Sequence, residues 1–494
     1  MIDTTFKSQA TIDPIRIKPE MRMRSFGQKN IEKIHQATLT VLEQAGVRFP
    51  NERALRVFEA AGANVDHKTQ IVKIPPDLLI RSIAKAPRSY TMASRGDQSL
   101  DLILDGTKTY CGTDGTGTTT VDLFTRETRA SCKADVAMMA KICDYLSCIS
   151  FYWPMVTASD VPDRMIPLHE IHAAITNTEK HVHIISCTKP EQAKFAVEIA
   201  SAISGDKACL KKRPPVSMLA CPISPLAQES EALEAALVFA EAGLPVGFAT
   251  MPMLGSTAPA SVPGLLVTAN AELLSAICYV QLVCPGAATY YALFSTILNP
   301  YTGGCVSSTI HQHFLQFGAT ELGHFYDLPV MSSYGSGDSK ILDSWLTGKE
   351  VAIDTMFSYM HQPDMFPGMG LINNDTLLYP EQILLDNEVY QSIQAMAGGI
   401  EVTDEDLALD DILENGIKGH FITSNHTAKN LRKLWKDSIT KKWSKEKRDF
   451  LVPQAAAIAE AKAIFKNHQP RPLDHLAEKE INKILVAAEK ELIT

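Results

Sequence analysis

From about residue 145 to about residue 372 the chain alternates short apolar strands with longer amphipathic segments, and this alternation constrains the fold more than any other feature. The strand candidates are Cys148 to Met155, His183 to Cys187, Val216 to Cys221, Val246 to Met251, Ala288 to Leu293, Val330 to Tyr334 and Gly368 to Ile372. Between them lie helical segments such as PEQAKFAVEIASAIS, QESEALEAALVFAEAG and TANAELLSAICYVQLV. Strands apolar throughout, each followed by a helix, are buried on both faces and pair in parallel. Seven such units, with an eighth strand in the preceding region or at a place the pattern does not mark, fit a TIM-like (β/α)8 barrel of the α/β class. A doubly wound open sheet is the competing arrangement.

Three regions follow from this reading. Residues 1–145 form an N-terminal helical and β-hairpin region packed on or completing the barrel. Residues 146–400 carry the main βα units, and residues 401–494 form a C-terminal helical extension. In the first region, Gly27 to Gly62 has a helical apolar stripe, and Pro76 suits the first turn of a helix after IVKI. The Thr- and Gly-rich stretch YCGTDGTGTTTVDLFTRETR reads as a hairpin. In the last region, acidic EVTDEDLALDD precedes a basic helix with Trp435 and Trp443. That helix is a solvated face by default and a docking surface for an acidic partner in the alternative.

The formal charge of -9 leaves no electrostatic footprint for nucleic acid. No apolar run reaches the length that spans a bilayer, and the N-terminus is polar, so no membrane association is expected and the location is cytoplasmic. The 10 cysteines are scattered without a CxxC, as reduced thiols are. His181 and His183 share one face of a strand, whereas His311 and His313 diverge on a helix. Neither pair has a third ligand at zinc spacing, so no metal is expected in this chain. GTDGTG lacks the spacing of a dinucleotide fingerprint, and Walker A, GxSxG and HExxH are absent.

An α/β barrel carries its chemistry at the carboxyl ends of its strands. Aromatic residues gather there: Phe151, Tyr152 and Trp153 on one strand, Phe248 beside Thr250 on another, Tyr290, Tyr291 and Phe294 on a third, and Tyr334 after a fourth. Ring faces attract cations. Aromatics in strands also fill cores, so only some of these rings would reach a ligand. The candidate substrate-binding residues are Phe151, Trp153, Tyr291, Phe294, Tyr334, Asp338 and His183. The loop Tyr334 to Lys340, YGSGDSK, brings two glycines, Asp338 and Lys340 to a strand end. Its alternative reading is a strand-to-helix turn with Asp338 or Ser339 as helix cap.

Four stretches, in order, resemble the trimethylamine methyltransferase family, including its members that lack pyrrolysine. They are Gly46 to Pro87, Gly112 to Leu146, LPVMSSYGSGDSK followed by Asp343, and Gly416 to Trp435. The resemblance implies an α/β barrel and a methyl acceptor, Co(I), on the corrinoid (cobalamin) of a separate partner protein. The trimethylamine branch carries pyrrolysine in the loop that looks like Ser333 to Lys340. The matching position here is Ser336, within one residue, and no catalytic residue is otherwise identified. The departure points away from trimethylamine and toward quaternary amines: glycine betaine giving dimethylglycine, or proline betaine or carnitine. A betaine carboxylate would want a positive or donor partner, for which His183, His311, Lys340 or backbone amides at a barrel loop are the candidates. The expected assembly is a homo-oligomer that meets its cognate corrinoid protein. Two other functions stay open: a non-catalytic quaternary-amine binder, and an acid–base barrel enzyme, for which no paired acid and base is evident.

Overall fold

The computed structural model describes residues 9–493 apart from 333–336, 343, 418 and 435–437, with the side chains of 432–434 also left aside. Eight parallel strands, each followed by a helix, make the barrel. The strands are β1 (Lys108–Thr113), β2 (Phe151–Tyr152), β3 (His181–Ile184), β4 (Val216–Ala220), β5 (Val246–Thr250), β6 (Thr289–Leu293), β7 (Val330–Met331) and β8 (Met365–Met369). The helices are α1 (Lys133–Tyr145), α2 (Ile166–Asn177), α3 (Pro190–Ser204), α4 (Ser230–Ala242), α5 (Val262–Val283), α6 (Ile310–Phe325), α7 (Trp345–His361) and α8 (Gln382–Gly398). Each strand pairs with the next in sequence. β8 pairs back onto β1, with Met365 opposite Tyr110 and Met369 opposite Thr113. That pairing closes the cylinder and rules out the open sheet.

The structure supplies the unplaced strand. β1 takes Tyr110–Thr113 out of the stretch read as a hairpin, and the hairpin itself is the later pair Thr119–Val121 and Thr128–Ala130. Glycines and threonines suggested a turn, but Gly112 is glycine for a packing reason. A Cβ there would lie 2.2 Å from the Phe151 ring on the neighbouring strand. Gly247 does the same for Tyr290, at 2.0 Å. Large rings on one strand thus occupy the space left bare by glycines on the next, which lets a closed eight-stranded interior fill without voids. The last strand also starts earlier than the pattern indicates, at Met365, and Leu371–Ile372 pairs instead with Leu377–Leu378 in a small hairpin.

One expectation on membranes is corrected. α5 is long and apolar enough to cross a bilayer by length and composition, yet 78% of its apolar window is buried inside the chain. It packs against the N-terminal helix Gln28–Gln44, the helix Pro76–Ile83 and β5, so its hydropathy is that of a largely buried core helix. Its polar residues are satisfied there. Asn270 Nδ2 donates to Thr38 Oγ1 (3.0 Å) and Tyr326 Oη (2.9 Å), and Glu272 accepts from Leu226 N at 2.9 Å.

The C-terminal helices Pro453–Asn467 and His475–Ile493 lie against α1, α3 and α8. Between them His468, 1% exposed, meets Asp144 Oδ2 at 2.8 Å. Thr178 Oγ1 and Glu179 N donate to the other Asp144 oxygen.

Candidate functional site

A cavity of about 280 Å3 opens at the carboxyl ends of the strands. Residues just beyond β1 (Asp114, Gly115, Thr116), β2 (Trp153), β3 (Ile185), β5 (Met251, Met253) and β6 (Phe294, Thr296) line it, joined by Cys305, by Pro367 and Gly368 of β8, and by Asp375. Its size suits one small molecule, near the lower end for ligand pockets. Apolar side chains dominate the wall, so a bound ligand exchanges water for rings, thioethers and one carboxyl pair.

Trp153 is the central wall. Its backbone is pinned to β1, because Trp153 N donates to Thr113 Oγ1 at 2.8 Å and that hydroxyl donates to Trp153 O at 2.7 Å. Its indole occupies space that any side chain at position 115 would take, since a Cβ on Gly115 would fall 2.2 Å from Trp153 Nε1. Phe294 faces it at 6.4 Å between ring centroids. His183 meets it edge-on at 4.9 Å.

The histidine pair of β3 forms a hydrogen-bonded chain in the barrel interior. His181 Nδ1 lies 2.8 Å from Ala93 O, so that nitrogen must carry the proton and donate. Its Nε2 then accepts from Ser217 Oγ at 2.8 Å, and Ser217 Oγ accepts from His183 Nδ1 at 2.9 Å. His183 Nε2 is left as a lone pair with no hydrogen-bond partner among the described residues. Burial pushes His183 down to about 3 and His181 down to about 4, so both rings are neutral near pH 7. His183 is a fixed neutral prop beneath Trp153.

The remaining candidates fall in different places. Phe151 lies on the inner face of β2 one step below Trp153, fully buried and 6.2 Å from His183, and does not line the cavity. Tyr291 points outward to α5, where its hydroxyl donates to Asn270 Oδ1 at 3.3 Å. Tyr152 also faces the helices, donating to Val136 O at 2.9 Å. His311 and Lys340 are exposed. Tyr334 and Ser336 lie outside the described residues. Asp338 and Ser339 are not the cap of α7. That role belongs to Ser344, which accepts from Thr347 N at 3.1 Å. Asp338 instead accepts from Ser307 N and Asn374 Nδ2, both at 3.0 Å.

That bond belongs to a lattice that fixes the loop after β7 to the turn after β8. Asn373 N donates to Ser339 O and Asn374 N to Gly337 O, each at 2.9 Å. Glu350 of α7 accepts from Asp338 N at 3.3 Å and Ser339 N at 3.4 Å. Asn373, Asn374 and Asp375 all sit at positive φ (58°, 50° and 62°), a conformation asparagine and aspartate tolerate better than most residues. The outcome is to bring Asp375 to the cavity opposite Asp114.

This carboxyl pair was not foreseen. Asp114 is 8% exposed, its Oδ1 accepts from Gly115 N at 2.8 Å, and its Oδ2 has no donor among the described residues. Burial, followed by the charge of Asp375 and their side-chain contact, holds the Asp114 carboxyl well above the usual range. The only sequence signal was the Asp inside GTDGTG, immediately past the strand that the pattern did not place. Among the described residues, no group of three or more His, Cys, Asp or Glu side chains could hold a metal ion.

Comparison with known proteins identifies related chains. The family model described as trimethylamine methyltransferase (MTTB) matches residues 4–492. Trimethylamine methyltransferase MttB of Desulfitobacterium hafniense is 31% identical over 475 residues, covering 95% of both chains. A glycine betaine methyltransferase from another strain of that organism is 26% identical, covering 94% of this chain and 97% of its own. Among solved structures, the Methanosarcina barkeri monomethylamine methyltransferase is similar with a TM-score of 0.47 at 10% identity, covering 91% of this chain and 96% of its own.

Proposed function

The chain belongs to the trimethylamine methyltransferase family, and from that premise we propose that it moves a methyl group from glycine betaine to the corrinoid of a separate partner protein, releasing dimethylglycine. The observation that carries this reading is the cavity at the barrel mouth, walled by Trp153, Phe294, Met251 and Met253 and small enough for one methylated headgroup. Percent identity does not select the substrate, since the trimethylamine enzyme is the nearer of the two relatives named. The selection rests on Ser336, which stands where the resemblance places pyrrolysine in the trimethylamine branch.

The acceptor, Co(I) on the partner, supplies the nucleophile that takes the methyl carbon. What remains for this chain is placement and desolvation. A quaternary nitrogen leaves as a neutral tertiary amine, so departure requires no proton. His183, held neutral with its Nδ1 proton committed to Ser217, fits a site that donates none. The faces of Trp153 and Phe294 attract the cation, and the apolar wall strips its water.

A partner must reach this cavity, and the surrounding face suits docking. Ile223 follows β4, Tyr301 follows β6, Ile310 opens α6, Ile341 follows β7 and Trp345 opens α7. All are exposed, Tyr301 by 95% and Trp345 by 89%. Because each follows a strand end or opens the helix after it, all lie on the side of the barrel where the cavity opens. An apolar rim around a substrate cavity is the surface a corrinoid protein would cover.

The test mixes the protein with glycine betaine and the reduced corrinoid partner, and follows methyl-cobalt by absorbance and dimethylglycine by mass spectrometry. Both products are expected, with no transfer from trimethylamine. Transfer from trimethylamine but not from betaine would overturn the substrate assignment.

A further inference from the structure

Besides the aromatic wall and the small polar side chains of Thr116, Thr296 and Cys305, the described lining of the cavity carries one pair of like groups, two carboxyls. Asp114 comes from the end of β1 and Asp375 from the turn after β8, neighbours only because the barrel closes there. Two carboxyls in contact cannot both ionise without repulsion, so one proton serves the two. The pair then presents one negative charge spread over its oxygens at the cavity wall. Asp114 Oδ2 has no donor from the protein among the described residues. The loop lattice spends several hydrogen bonds on Asn373 and Asn374 to hold Asp375 in position.

We propose that Asp114 and Asp375 act together as the charge selector of the cavity, holding a methylated ammonium headgroup by one shared negative charge and rejecting neutral groups of the same shape. This inference rests on the substrate reading above and names the residues that enforce it. Trp153 and Phe294 attract a cation but also accept any apolar group, so rings alone discriminate weakly. A full carboxylate against the nitrogen would discriminate strongly, but would also stabilise the charged substrate over a transition state in which that charge is disappearing. A charge shared between two carboxyls keeps the selection and softens that penalty. Neither aspartate moves a proton in the reaction. Both position and select.

The experiment measures binding directly by titration calorimetry, with no corrinoid present. The probes are tetramethylammonium, the bare cationic headgroup, and 3,3-dimethylbutan-1-ol, a neutral molecule bearing a similar branched head. The proteins are wild type, Asp375→Asn and Asp114→Asn/Asp375→Asn. Amides preserve shape and can still bond to each other, and matching melting curves check the fold. The double variant is expected to bind tetramethylammonium at least tenfold more weakly, while its affinity for the alcohol changes by less than about twofold. Asp375→Asn alone is expected to shift in the same direction by less, and it carries the test if the double variant does not fold. Unchanged cation affinity in the variants, equal loss of both ligands, or no tetramethylammonium binding by wild type would overturn the assignment. Methyl transfer is scored separately. A wild type that demethylates betaine but shows no charge selectivity sinks this inference alone. One that binds tetramethylammonium selectively but transfers nothing sinks the proposed reaction alone.

Discussion

Adding one methyl group to Gly115 is the sharpest probe of the Trp153 wall. The new Cβ would lie 2.2 Å from Trp153 Nε1, 2.3 Å from Cδ1 and 2.5 Å from Cε2, whereas ordinary contact begins near 3.4 Å. The indole must therefore retreat by about 1 Å or more. It has little freedom to do so inside the barrel. β2 lies between β1 and β3, so the side away from Gly115 is taken by His183 at 4.9 Å. The ring is left to swing toward the cavity. Overpacking of this kind costs about 1–3 kcal/mol of stability. Losing a good ring contact to a cation costs a further 0.5–2 kcal/mol or so in binding, roughly a twofold to thirtyfold rise in Kd. Gly112→Ala is the matched control. Its Cβ would lie equally close, 2.2 Å, to Phe151 one step deeper, and Phe151 does not line the cavity. Thermal melts should show both variants destabilised, while calorimetry with tetramethylammonium should show weakened binding in Gly115→Ala alone. Equal binding losses in the two variants, or a wild-type Kd in Gly115→Ala, would refute the view that the cation rests on Trp153.

Two further outcomes follow from groups outside the cavity. Tyr291→Phe removes only the hydroxyl that bonds Asn270. It should cost about 0.5–1.5 kcal/mol in denaturant unfolding and leave ligand affinity unchanged, and a large change in Kd would mean that Tyr291 acts at the site after all. At Asp144, burial raises the carboxyl but is outweighed by the His468 bond, the Lys180 charge and two further donors, so its folded pKa sits below the usual range. A depressed folded pKa stabilises the protein above the unfolded carboxylate value, and that stability is lost as pH falls through the folded value. His468→Ala should therefore cost about 1–3 kcal/mol near neutrality and move the acid unfolding midpoint to higher pH. An unchanged acid limb would show that the contact holds nothing together.

The barrel was legible because its strands are buried on both faces, and β2 to β8 announce themselves as short apolar runs between helices. β1 was not, because its identity lies in pairing. Tyr-Cys-Gly-Thr reads as turn chemistry until Phe151 is seen filling the space beside Gly112. The same holds at the site. Trp153 and Phe294 could be named as candidates because they stand late in, or just past, the apolar runs read as strands. Tyr291 could not be told from Tyr290 beside it until the strand's rotation was known, and then one faces the helices and the other the interior. Asp114 and Asp375 are more than 250 residues apart in a chain with many aspartates, and no local pattern marks two carboxyls that meet only across the closing seam.

That seam also governs how the chain can be made. β1 is the first barrel strand to leave the ribosome, and its partner β8 emerges only after six further strand–helix units have followed. Until then β1 and the latest strand to appear each present unpaired backbone N–H and C=O groups along an open edge, the kind of edge that pairs with another chain. A nascent chain stopped before Met365 is thus not a smaller enzyme. It is an unclosed sheet whose two free margins are complementary to those of any neighbouring copy. Long-range pairing of this sort forms slowly, so newly made protein should depend on protection from its own kind during synthesis more than the stability of the finished barrel would suggest.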